Sequence, residues 1–365
     1  MIETLIDIES LRAIGLTPQI VHQLTLLPPL SGEPNLMRIT EIQREGLSLH
    51  DGEHEHAARA LPALLNSLRD QGDALAVGDW VLAEQFSHGE WWVHTRVPPI
   101  TQIARRLHDG RDKVSRAVIV SNVDTALLVM GLDMDFSVRR LERYLALAQG
   151  AGVAAVVVLT KADTCSDVQA RLREVRRVLP AHTMAVAVNA LSDESRGALA
   201  DCLSIGQTVV LLGSSGAGKS TLTNTLTGKV GDLEAQPTGA ARRGDGRGRH
   251  TTTARSLHRT LQGACIIDTP GLRTLRLDGN EAALDEVFGD IARLTPLCRF
   301  RDCQHAGEPG CAVREQVAPE RLRNYQKLLR EAQRDTLSAL QRKLQVSLWK
   351  ARSREGRMRM ALKRG

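Results

Sequence analysis

The sequence predicts a multidomain chain: a small N-terminal β-barrel, an α/β domain on a parallel sheet, and a mostly helical C-terminal module with a metal cluster. Three observations predict it. Short alternating runs crowd the stretch from Met37 to about Ile103. Continuous apolar runs then alternate with helical stretches from Val118 to Thr274. A Cys/His cluster follows Leu284 and leads into a long helical pattern. A chain of 365 residues also exceeds what one ordinary core organises.

Residues 1–35 carry a modest helical pattern, end in the Pro-rich stretch Pro28-Pro29 to Pro34, and read as an N-terminal extension. The barrel is expected over 36–112. Arg38-Ile39-Thr40-Glu41-Ile42 alternates, and Leu47 and Leu49 alternate before the turn signal Asp51-Gly52. Leu75-Ala76-Val77 and Trp80-Val81-Leu82 flank Gly78-Asp79, and Trp91-Trp92-Val93 is closed by Pro98-Pro99. His54 to Arg69 is rich in Ala and Leu and reads as a helical insertion. Several short strands in so small a stretch suggest a barrel.

The α/β domain is expected over 113–288. Thr125–Met130, Ala154–Leu159, Thr208–Leu212 and Cys265–Ile267 are apolar throughout, the pattern of parallel strands covered on both faces. Ser137 can cap a helix that carries Leu141, Leu145 and Ala148 on one face. The C-terminal module is expected over 289–340, with a helix opened by Pro319.

Apolar residues make up 42% and charged residues 25%, the balance of a globular chain, and aromatics only 3%, so Leu, Val, Ile and Ala must fill the cores. No apolar run spans a bilayer. The N-terminal MIETLIDIES is acidic where an export signal is basic, so a cytoplasmic location is expected; separately, the chain is expected to be a monomer. The net charge of +6 is local: residues 341–365 hold nine Lys/Arg against one Glu, and the rest is slightly acidic. Such a tail seeks phosphate or acidic protein, or is merely solvated. Cys165, Cys202 and Cys265 lie in apolar surroundings and are expected as buried thiols.

Gly213-Ser214-Ser215-Gly216-Ala217-Gly218-Lys219-Ser220 has Walker A spacing between a strand and a helix. Its glycines let backbone N–H groups converge on phosphate, and the helix N-terminus adds its dipole. Lys219 is expected at the β- and γ-phosphates, Ser220 at Mg²⁺, and Thr221 beside them. Asp268-Thr269-Pro270-Gly271 ends another strand, where Asp268 suits Mg²⁺ and the Gly271 N–H suits the γ-phosphate. Thr160-Lys161-Ala162-Asp163 resembles the guanine-specificity motif Asn/Thr-Lys-x-Asp. One carboxylate, Asp163, can accept both guanine donors, a pattern adenine does not offer. Lys161 is expected over the ring. The guanine motif precedes the P-loop, the reverse of the ordinary order, so either the sheet is circularly permuted or the site is not a GTPase site.

Cys298, Cys303, His305 and Cys311 supply three thiolates and one imidazole, a closed tetrahedral set for structural Zn²⁺; the plain alternative is free thiols in a small core.

The permuted order, Gly248-Arg249-His250-Thr251-Thr252-Thr253, Val77-Gly78-Asp79-Trp80, Ser121-Asn122-Val123-Asp124, Arg139 to Tyr144 and the cluster Cys298-x4-Cys303-x-His305-x5-Cys311 resemble the ribosome small-subunit-dependent GTPase A family over roughly residues 37–330. The resemblance implies an OB-fold barrel, a circularly permuted GTPase domain and a zinc domain. It implies binding of GTP/GDP, the small ribosomal subunit and its rRNA, with hydrolysis stimulated by that particle and coupled to release. Where the family often has Ser-Ala behind the guanine, Asn189-Ala190 stands here. Pro237 to Thr253 reads as switch I, with Thr252 or Thr253 as the Mg²⁺ threonine. Leu272 occupies the position of the usual water-orienting Gln, so slow intrinsic hydrolysis is expected, with His250 or the ribosome supplying the missing group; His250 as a purely structural switch residue is the equal alternative. Two rivals remain: an ATP-dependent P-loop enzyme, and a non-enzymatic zinc and OB-fold RNA-binding adaptor.

Overall fold

The computed structural model describes residues 7–28, 32–43, 46–86, 89–108, 114–229, 255–270 and 281–336. Two helices open it, α1 (Ile8–Ala13) and α2 (Pro18–Thr25). The Asp7 and Thr17 side chains accept from backbone N–H groups of their first turns, and Pro18 starts α2. These helices are tied to the main body, since Leu11, Ile14, Leu16, Ile20 and Leu24 share a core with Trp80 and Ile103.

Five strands follow: β1 (Asn35–Ile42), β2 (Leu47–His50), β3 (Glu55–Ala60), β4 (Trp80–Gln85) and β5 (Trp91–Arg96). They neighbour one another in the order β1-β2-β3-β5-β4, and a β1–β4 pairing closes the ring. Only β3 and β5 run parallel. This is an OB-type barrel. Met37, Ile39, Leu49, Val81 and Val93 fill it. The helical insertion expected over His54–Arg69 needs correction. Glu55–Ala60 is a strand, and only α3 (Pro62–Asp70) is helical. Leu47 pairs with Ala58, which is buried inside the barrel. Closing the ring outweighs the helix preference of alanine.

A hairpin, β6 (Gln102–His108) and β7 (Val114–Ser121), leads to the α/β part, whose strands continue the barrel's sheet beyond β1. There the chain forms β8 (Thr125–Gly131), α4 (Val138–Gly150), β9 (Ala154–Thr160), α5 (Val168–Arg176), β10 (Met184–Ala187), α6 (Glu194–Ala198), β11 (Thr208–Leu212), α7 (Lys219–Thr227), β12 (Ser256–Arg259) and β13 (Cys265–Asp268). The strand order is β10-β9-β8-β11-β13-β12, all parallel except β12. Every residue of β8 and β11 is buried. Ala126, Leu128, Val210 and Leu212 join one core, and Leu127, Val129, Val209 and Leu211 the other. Two covered faces are why these strands read as unbroken apolar runs. Ser137 stands at the N-cap of α4 without a side-chain cap; its N–H faces Met130 Sδ instead.

Four helices complete the described chain: α8 (Glu281–Val287), α9 (Gly289–Leu294), α10 (Ala312–Gln316) and α11 (Pro319–Thr336). Leu284 and Val287 of α8 share a core with Leu141 and Leu145 of α4, and α11 adds polar contacts to α4. Glu142, 1% exposed, accepts from Arg321 and Asn324 of α11. Arg321 also grips both carboxylate oxygens of Asp290 at 2.8 Å. Arg143 donates to both oxygens of Glu331. A buried carboxylate is tolerable here because every partner is supplied.

Arg38 joins barrel, hairpin and sheet. It is fully buried, yet its guanidinium donates to Ile14 O, Thr208 Oγ1, Asn122 O and Gly78 O.

Candidate active site and metal centre

The C-terminal ends of β8, β9, β11 and β13 converge at one edge of the sheet, the edge where open α/β sheets bind ligands. Gly213 leaves β11 against β8, where a Cβ would stand 2.3 Å from Val129 O. Gly218, at φ 91°, caps α7, and a Cβ there would press on Thr160. The chain can therefore wrap tightly enough to turn N–H groups inward at a helix start. Lys219 is buried, with Nζ donating to Gly213 O at 3.1 Å and Ser214 O at 2.8 Å. Burial pushes the Lys219 pKa down, opposed by Asp268 and Asp135. Ser215 and Gly216 are exposed, Ala217 is buried, and Thr221 is half-buried behind Ser220.

Ser220 Oγ donates to Asp268 Oδ2 at 2.9 Å. Asp268 is fully buried, and its Oδ1 has no hydrogen-bond partner among the described residues. Burial raises its pKa, against the Ser220 hydrogen bond and the Lys219 charge. An orphaned buried carboxylate oxygen beside a hydroxyl, at the mouth of a phosphate-type loop, fits a divalent cation with oxygen ligands. Thr269 Oγ1 donates to Leu211 O at 2.6 Å, tying the segment after β13 to the P-loop strand.

Thr160 is buried at the end of β9, and its Oγ1 donates to Ala217 O at 2.6 Å. Lys161 adopts φ 60°, and its Nζ donates to Asp133 Oδ2 at 2.6 Å. Asp163 is exposed in a single 3₁₀ turn, Ala162–Thr164. The penalty for leaving that carboxylate unpaired therefore arises under a bound base, not in the protein alone. The loop carrying Asn189 and Ala190 is held beside it: Ala162 N donates to Val188 O, and Thr225 Oγ1 of α7 donates to Ala190 O at 2.7 Å. Asn189 Oδ1 accepts from Leu191 N at 3.0 Å, a local turn.

Between α9 and α10, the ligand atoms of Cys298, Cys303, His305 and Cys311 lie within 4.8 Å of one another. Cys298 Sγ is 3.9 Å from Cys311 Sγ, and His305 Nδ1 is 3.4 Å from Cys311 Sγ. A tetrahedral ion with Zn–S bonds of about 2.3 Å has S···S edges of about 3.8 Å, so donor chemistry and spacing both fit zinc. His305 takes φ 55° and is buried. Its Nε2 lies 3.4 Å from Thr295 Oγ1, a partner of the kind that orients a ligating imidazole.

A family model described as RsgA GTPase matches residues 101–278. The small ribosomal subunit biogenesis GTPase RsgA of Mesorhizobium japonicum is 46% identical over 266 residues, 72% of this chain and 75% of its own. The chain belongs to the RsgA GTPase family. The Xylella fastidiosa (strain Temecula1) member is 40% identical over 337 residues, 90% of this chain and 95% of its own. YjeQ from Thermotoga maritima shares the fold, with TM-score 0.57 at 22% identity over 82% of this chain and 98% of that one. So does YloQ, described as a circularly permuted GTPase, with TM-score 0.54 at 19% identity over 84% and 97%.

As an RsgA family member the chain is a GTPase, and its motif order is the permutation seen along the sheet: Thr160–Asp163 at the end of β9 comes before the loop after β11. Among the described residues no helix is long and apolar enough to cross a membrane. His250, Thr252, Thr253, Gly271 and Leu272 lie outside the described residues, as does the basic stretch 341–365. Cys202 and Cys265 are buried as expected, but Cys165 is only half-buried, because the turn after the guanine motif leaves it at the surface. Sequence reading missed Asp133 and Asp135. Ser214 Oγ donates to Asp135 Oδ1, which Arg140 Nη2 also reaches at 2.6 Å. Two carboxylates just past a fully buried strand that flanks the P-loop strand were the available signal.

Proposed function

We propose that this GTPase acts in assembly of the small ribosomal subunit, binding the particle and its rRNA late in maturation and leaving on GTP hydrolysis. The observation that carries this is the shared name and near full-length similarity of relatives such as the Xylella fastidiosa protein. The OB-type barrel offers the kind of surface that tracks single-stranded RNA, and the basic stretch 341–365 favours phosphate. A soluble cytoplasmic monomer is the working form.

In this reading, backbone N–H groups of Gly213–Ser220 hold the α- and β-phosphates, and Lys219 swings to the β- and γ-phosphates. Asp163 accepts from the guanine ring N1–H and exocyclic amine, with Lys161 on the ring face and Asn189-Ala190 behind it. Ser220, Asp268 and Thr252 or Thr253 hold Mg²⁺, which when bound neutralises charge developing on the phosphates. Gly271 N–H senses the γ-phosphate. Leu272 cannot orient water, so turnover alone is slow, and His250 or the subunit supplies the group. Cys298, Cys303, His305 and Cys311 hold one structural Zn²⁺.

The test is GTPase activity titrated with purified small subunits. Stimulation is expected; a flat response removes the ribosomal assignment and leaves the nucleotide site standing. Subunit-stimulated turnover of His250→Ala then separates the two sources of the missing group. Undiminished turnover with normal GTP binding removes His250 from catalysis.

A further inference from the structure

The tight loop after β8 is joined to the guanine motif at several points. Leu132 N donates to Thr160 O at 2.9 Å. Asp133 Oδ1 accepts from Asp135 N at 3.0 Å, and Asp135 Oδ2 from Gly131 N at 3.3 Å. A Cβ on Gly131 would stand 2.7 Å from Asp133 Oδ1 and 3.4 Å from Lys161 Cδ. The Lys161 stem therefore lies along the bare face of Gly131 and ends on Asp133. A lysine stem has four flexible carbons, and fixing it costs entropy. The Lys161 backbone is already held in the left-handed region, so the described contact that sets its side-chain direction is this carboxylate.

We propose that Asp133 is a positioning residue for the guanine site: it aims the Lys161 stem across the plane where the purine ring lies and sets nucleotide affinity without touching the nucleotide. The proposal rests on reading Thr160–Asp163 as the base-binding motif. Lys161 meets the ring face, not the exocyclic groups, so Asp133 governs affinity for the base while Asp163 governs choice of base. The γ-phosphate is not involved. GDP and GTP binding should weaken alike when Asp133 is lost, and the effect on turnover should fall on KM rather than kcat. Because the pair is partly exposed, salt should narrow the difference.

The test is a double-mutant cycle on GDP Kd, using full-length wild type, Asp133→Asn, Lys161→Met and the double variant. Asp133→Asn should weaken GDP binding about fivefold, the upper range for a partly exposed ion pair. Asp133→Glu should recover part of that loss, and Asp133→Asn should cost nothing further in the Lys161→Met background. The thermal midpoint of the nucleotide-free protein should not move. Additive losses in the cycle, or an unchanged Kd in Asp133→Asn, would overturn the proposal. Asp163→Asn tests the underlying reading separately, because an amide in place of the carboxylate should move preference from guanine to xanthine nucleotides. Failure of that shift takes the base-site reading and the proposal down together. An intact shift with an additive cycle takes down the role of Asp133 alone.

Discussion

The Thr160 hydroxyl donates to the Ala217 carbonyl at 2.6 Å, so the first residue of the guanine motif is hydrogen-bonded directly to the phosphate loop. Both groups are buried. Base recognition and phosphate recognition are therefore built on one rigid joint. Thr160→Val keeps the shape and removes the donor, leaving Ala217 O unsatisfied at a cost of roughly 1–3 kcal/mol. GDP binding should weaken about tenfold by calorimetry, whereas Thr160→Ser should stay near wild type. Equal affinities for Thr160→Val and wild type would mean that the joint does not matter.

The Ser220–Asp268 contact makes a prediction about magnesium. Wild type should bind GDP more tightly with Mg²⁺ than with a chelator. Ser220→Ala should lose most of that gain while keeping its chelator-side affinity, since backbone N–H groups still face the phosphates. If both proteins respond equally to Mg²⁺, Ser220 is not a ligand.

What could be read from the sequence follows from the range of the interactions. The P-loop and the zinc ligands each lie within one short stretch, so spacing alone reveals them. The strands β8 and β11 read clearly because both faces are buried. By contrast, β3 is alanine-rich and is held as a strand by ring closure, which no local pattern encodes. Arg38 looks like an outward polar residue in an alternating strand. It is buried because acceptors from Ile14, Gly78, Asn122 and Thr208 converge on it, and three of those four lie far away in the chain. The bonds Asp133–Lys161 and Asp135–Ser214 are hidden for the same reason.

The cluster of Cys298, Cys303, His305 and Cys311 should carry one zinc ion per chain in purified protein. Cys311→Ser should bring metal content close to zero and lower the thermal midpoint, because the free energy of metal binding at such a site is also folding free energy. Strong chelation of wild type should lower the midpoint in the same way. Metal-free wild type with the same midpoint as the zinc-loaded form would leave the cluster as plain packed thiols.

Asp79 gives the protein a pH signature that originates in the barrel. It is fully buried beside Trp80, its Oδ2 accepts from Ala76 N at 2.8 Å, and Arg96 stands 3.9 Å away. Burial outweighs both and pushes its pKa up to about 6 from 3.8. Below about pH 4 the group is protonated folded or unfolded and contributes no slope. Between about pH 4 and 6 the folded protein holds a proton that the unfolded chain has released, so stability falls as pH rises. The loss levels off above pH 6 at roughly 3 kcal/mol. Asp79→Asn has no proton to lose, and its amide oxygen can still accept from Ala76 N. Denaturant unfolding from pH 4 to 7.5 should therefore show the variant gaining on wild type as pH rises, with the gap opening between pH 4 and 6. Parallel curves for the two proteins would show that Asp79 is not the group that titrates.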